Sequence, residues 1–174
     1  MIIERKERPA GYHMLYGMKF SHVSNMKGSY QKLYISLVIS FVVMYTVMFL
    51  NVDDFSHVFL SLNRSYMALL MVSPMAIIMI LLMRSMYTDK RLNLVIVFSS
   101  IIVFILSLVC LRTQAFISDV QYMKGMIPHH SSAIMTSRHA SIHDLSVKAL
   151  SDSIIRSQEE EIRQMKSLIK KLSE

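Results

Sequence analysis

Three stretches of the chain carry no charged residue: 33–52, 66–83 and 92–111. A hydrocarbon core is crossed by about 20 predominantly apolar residues, so the pattern predicts three transmembrane helices over these ranges. The first stretch is too long for a signal-peptide core and no small-residue cleavage site follows it, so it reads as a span. Pro74 falls inside the second and should bend it, with Ser73 or a neighbouring helix satisfying the freed carbonyl. Beyond residue 111 the apolar residues become periodic instead of continuous. Residues 112–174 are expected to form three helices: one continuing the third span to about Met126 and stopping near Gly125, a second opening at Pro128, and a third capped by Asp144. In the last, Val147, Leu150, Ile154, Met165, Leu168 and Leu172 share one stripe, and Gln158 and Glu161 fall inside it. A carboxylate in an apolar stripe needs a cation or a metal opposite it. The nearest supply is the pair His129 and His130.

Composition agrees with a membrane protein. The chain of 174 residues is 53% hydrophobic, with 16 methionines and no tryptophan. Its mean hydropathy is +0.40, too high for an ordinary soluble domain. The net charge of +7 sits mainly around the spans. Arg5, Lys6, Arg8, Lys19, Lys27 and Lys32 precede the first span, and Arg84, Lys90 and Arg91 lie between the second and third. The loop between spans one and two has Arg64 against Asp53 and Asp54. Positive loops stay inside, so the arm 1–32 is read as cytoplasmic and 112–174 as extracytoplasmic. The charge is explained by topology, with no nucleic-acid motif and no nucleic-acid partner.

The segment "MKGMIPHHSSAIM" (residues 123–135) concentrates candidate chemistry. Met123, Met126, His129 and His130, with Met165 on the later helix, offer thioethers and imidazoles without thiolate. Such a set favours Cu(I) over Mg, Ca or Mn. The structural alternative stays open: methionines fill cores, and a histidine in a first helical turn can bond backbone. Adjacent helical residues lie 100° apart, so the two histidines cannot share one narrow face.

These residues carry a resemblance. Asp119, then Met126-Ile127-Pro128-His129-His130, Ala133-Ile134, and later Ile154-Ile155, Gln158, Glu161-Ile162 and Met165 resemble the domain-of-unknown-function family 305. The resemblance implies an all-α, ferritin-like helical-bundle domain at 112–174, following the three-span region 33–111. It also implies copper binding by Met and His in a bacterial envelope, with Asp119, Gln158 and Glu161 as supporting residues. The expected setting is the bacterial cytoplasmic membrane. Many members carry methionine where this chain has Thr136; Met135 is its neighbour.

Other features complete the expectations. Met67, Met71, Met75, Met79 and Met83 recur every four residues in the second span, and Met44 and Met48 repeat the spacing in the first. This ladder is either packing or a Cu(I) path. The N-terminal arm, with His13, Met14, Met18, His22 and Met26 among aromatics, should lie along the inner membrane surface. No nucleophile arrangement and no Glu-x-x-His pair is present, so no enzyme activity is expected. Three short helices make a thin core, which favours a homodimer completing a four-helix bundle, with Ala133, Ser137 and Ala140 as a contact. A copper-handling partner protein would fit delivery. The charge asymmetry yields a test: a reporter active only outside the cytoplasm, fused after Glu174, should be active, and a cytoplasmic reporter there should be silent.

Overall fold

The structure, a computed structural model, describes the backbone of residues 11–173 and the side chains of residues 28–173. The side chains of Arg5 to Lys27, including the arm's histidines and methionines, lie outside the described residues. Five α-helices follow one another: α1 (Gly11–Val47), α2 (Leu62–Leu82), α3 (Lys90–Thr113), α4 (Asp119–His139) and α5 (Leu145–Ser173). A short 3₁₀ turn, Phe55–His57, sits between α1 and α2. Among the described residues there is no strand.

Three helices are long and apolar enough to cross a membrane: Gly28–Val47, Leu62–Leu82 and Lys90–Thr113. The first lies earlier in the chain than the sequence pattern placed it, because α1 ends at Val47. Its apolar continuation, Met48 to Val52, turns toward the loop. At 1.5 Å per residue each helix reaches about 30 Å or more. Bulky apolar side chains such as Val43, Ile78, Phe98 and Ile102 stay exposed, as a lipid-facing surface requires. The helix α2 packs along both α1 and α3, and α1 reaches α3 through Tyr30 and Asn93. Leu33, Ile80 and Tyr87 form a buried cluster at one end of the spans. Tyr30 Oη donates to Asn93 Oδ1 (2.7 Å), and Asn93 Nδ2 donates to the Tyr87 carbonyl (2.7 Å). Pro74 lies inside α2. The Ser73 hydroxyl bonds the Leu69 carbonyl (2.6 Å), not the Leu70 carbonyl that Pro74 frees.

The outer segment differs from expectation. It forms two helices, not three. The third span stops at Thr113, where Gln114 takes a left-handed conformation (φ 54°) and caps it. Ser118 then caps α4, its hydroxyl accepting from Gln121 N. Gly125 and Pro128 both lie inside α4. The Pro128 ring is fully buried, so packing offsets its missing N–H. Gly125 sits against α2: a Cβ there would be 3.6 Å from Ser61 Oγ and 3.7 Å from Asn63 Nδ2. Asp144 caps α5 as expected, accepting from the Ser146 (2.9 Å) and Val147 (3.0 Å) amides.

Helices α4 and α5 form a hairpin around buried Ile127, Ile134 and Ile162, with Ile155, Met165, Ile169 and the loop residue Phe59 packed against them. The buried face of α5 is rotated from the predicted stripe. Val147, Leu150, Leu168 and Leu172 are exposed, while Ile162 and Ser151 are buried. Ile155 and Ile169, each one residue beyond a position 14 apart in the stripe, carry the contact instead. On the small-residue face, the Ser137 carbonyl accepts from Ser151 Oγ (3.3 Å), while Ala140 is exposed. If this cluster holds the hairpin, Ile134→Ala should cost about 2–5 kcal/mol. Leu145→Ala, at a position 84% exposed, should leave thermal unfolding in mild detergent unchanged.

Candidate functional site

The two histidines divide the site. His130 is buried on the inner face of α4 with Met123, Ile127 and Ile134. Its Nδ1 lies 2.9 Å from the Met126 carbonyl, which only accepts, so Nδ1 carries a proton. Its Nε2 lies 2.6 Å from Glu161 Oε2. A proton must therefore lie between Nε2 and the carboxylate. The other Glu161 oxygen accepts from Ser157 Oγ (2.9 Å). Glu161 thus faces the histidine turn, as its stripe position requires, although its side chain is 46% exposed. With both ring nitrogens engaged, His130 has no lone pair for a metal in this arrangement.

The other predicted site residues also separate. Met123 is buried and Met165 packs on the isoleucine core, so both fill space inside the hairpin. Asp119 is exposed in the first turn of α4, where a carboxylate complements the helix dipole, and it meets neither histidine. Ten residues of helix put it about 15 Å from His129 along the axis. Gln158 is half-buried on α5 and bonds neither imidazole. Among the described residues no three His, Cys, Asp or Glu side chains form a metal-binding group.

Met126 and His129 face the other way, into a cavity of about 580 Å³ between the hairpin and the ends of α1 and α2. Met135, Met48 and Met67 line the same cavity. His129 is exposed and bonds no other side chain among the described residues, though its ring lies 6.2 Å from that of His130. No carboxylate lines the cavity. Its fixed cation, Arg64, bonds the Met48 carbonyl and lies over the Phe49 ring (4.2 Å). The sequence pattern did not bring Met135, Met48 and Met67 together, because two of them belong to spans. The three-residue steps Met126, His129, Ser132 and Met135 were the available local signal. The rest of the ladder does not continue inward as a lined path: Met71 and Met83 are exposed on the outside of α2, and Met79 packs on the cluster of Leu33, Ile80 and Tyr87.

Polar contacts fasten the loop between α1 and α2 to α4 beside the cavity. The Ser131 hydroxyl, fully buried, accepts from the Asp53 amide (2.8 Å) and lies 2.9 Å from His57 Nδ1. Burial, followed by nearby Lys166, lowers the His57 pKa. Asn51 Nδ2 donates to Ser132 Oγ (2.7 Å). Arg138 bridges Asp53 and Glu159. Asn63 and Gln114 exchange two amide bonds (3.1 Å each).

Ser157 first, then His130, lowers the Glu161 pKa below the usual carboxylate value. A lowered folded pKa adds stability that is present above the unfolded value, about 4.3, and is lost as pH falls through the folded one. Wild-type melting temperature should therefore drop as pH falls below about 4.3, and Glu161→Gln should show a smaller drop over the same range.

A family described as Domain of unknown function (DUF305) matches residues 110–173, which cover the end of α3 and the whole hairpin. Uncharacterized protein L153 of Acanthamoeba polyphaga mimivirus is 42% identical over 112 residues, 63% of this chain and 72% of that protein. No solved structure matches the chain. With the paired motifs of α4 and α5 packed face to face, the chain belongs to the family Domain of unknown function (DUF305).

Proposed function

We propose that this membrane protein binds Cu(I) in the cavity between its spans and its hairpin, for copper tolerance or delivery. One observation carries the reading: four thioethers (Met48, Met67, Met126, Met135) and one unengaged imidazole (His129) line a single cavity that has no carboxylate. Soft neutral donors suit a monovalent soft ion, while zinc or calcium gains little from thioethers and lacks an acidic partner here. Arg64 adds positive charge, which weighs further against divalent ions. Met126 is one helical turn from His129, and Met135 lies about 9 Å beyond it along the axis. His129 therefore pairs with one or the other at a time, assisted by Met67 or Met48. The reading is of a binding protein, not an enzyme, and a copper-handling partner protein would receive or supply the ion.

In this reading the N-terminal arm is cytoplasmic and the hairpin lies on the opposite side, by charge asymmetry. The setting is a bacterial cytoplasmic membrane by family resemblance, although the mimiviral relative widens the range of membranes to consider. A homodimer is part of the proposal. The exposed Val147, Leu150, Leu168 and Leu172 on α5 lack a partner in one chain. Two hairpins would make the four helices of a ferritin-like bundle.

A second reading is favoured by the His130–Glu161 bond of 2.6 Å. It makes the hairpin a structural module whose polar pair fixes helix register. Cu(I) titration of the full chain in detergent, against a competing chelator under reducing conditions, separates the two. Copper binding predicts that His129→Ala weakens affinity by about tenfold or more, with Met126→Leu weaker than wild type and folding intact. His130→Ala should lower stability more than affinity. Equal Cu(I) affinity of His129→Ala and wild type would leave only the structural module.

A further inference from the structure

At the opposite end of the spans a second cavity of about 480 Å³ opens between the end of α2 and the start of α3. Its inner wall is apolar, from Ile80, Leu81 and Leu94, and its mouth carries Arg84, Thr88 and Lys90. Arg84 and Lys90 are exposed, and neither forms an ion pair among the described residues. The neighbouring acid, Asp89, is occupied: its Oδ1 accepts from the Arg91 (2.9 Å) and Leu92 (3.1 Å) amides and caps α3. Asn93 in the wall is likewise satisfied by Tyr30 and Tyr87. The mouth thus offers two unneutralised cations and the Thr88 hydroxyl, directly above an apolar slot.

We propose that this cavity binds an anionic phospholipid. Its phosphate sits between Arg84 and Lys90, where guanidinium and ammonium both donate charge-assisted hydrogen bonds. The first methylenes of an acyl chain run along Ile80, Leu81 and Leu94. The position fits this occupant, because the cavity straddles the point where two membrane-length helices meet their connecting loop. Basic pockets between spans at a membrane surface suit anionic headgroups, and no carboxylate lines this cavity to meet the cation of a zwitterionic lipid.

Native mass spectrometry of the full chain, released from detergent with added phosphatidylglycerol or phosphatidylcholine, tests this. One phosphatidylglycerol per chain should be retained in preference to phosphatidylcholine. R84Q with K90Q should weaken that retention by about tenfold or more. R91Q removes a charge from the first turn of α3 without touching the cavity wall, and should retain the lipid as the parent does. Millimolar inorganic phosphate should not displace it, because the slot holds the chain as well as the headgroup. Equal retention of both lipids, unchanged retention in the double variant, or equal loss in R91Q would overturn the proposal. Displacement by phosphate would make the cavity a small-anion site instead.

Discussion

The arrangement of this molecule depends on the buried hydroxyl of Ser131. It accepts the Asp53 amide and meets the neutral His57 ring, so the loop between the first two spans is fastened to the middle of α4. A hydroxyl with no solvent must find its partners within the protein, and here all of them come from one loop. Asn51, Arg138 and Lys166 add bonds around it, the last donating to Ser56 Oγ (3.0 Å). With the loop fixed on one side of α4, the other side is held over the ends of α1 and α2.

The histidine pair shows how one helix can serve two environments. A step of 100° is enough to put His130 against the isoleucine core and a glutamate, and His129 into the cavity. The first ring saturates its nitrogens with a carbonyl and a carboxylate. The second keeps both nitrogens free among the described residues. The motif is contiguous in sequence, yet its structural and chemical parts face opposite ways.

The three spans, the cap at Asp144 and the meeting of Glu161 with the histidine turn were legible in the sequence, because each rests on local periodicity or on one carboxylate set in an apolar stripe. The continuity of α4 was not. Gly125 and Pro128 read as a stop and a start, and only burial of the proline ring and close approach to α2 explain why the helix runs through them. The active face of α5 was misjudged by one residue because two apolar stripes run side by side, and the choice between them depends on what α4 presents. The cavity combined methionines from two helices and from the turn after α1, a relation that periodicity within any single helix cannot express.

Gly125 has a consequence for the spacing of the whole assembly. Here α4 lies against the start of α2, and an added methyl would just reach ordinary contact with Ser61 and Asn63. Alanine would fit the gap; a valine or leucine would have to lever the hairpin away from the membrane helices. The position acts as a shim. Its thickness sets the clearance beneath the hairpin, so a change of one or two carbon atoms there would alter the bore of the chamber without touching any residue that lines its far wall.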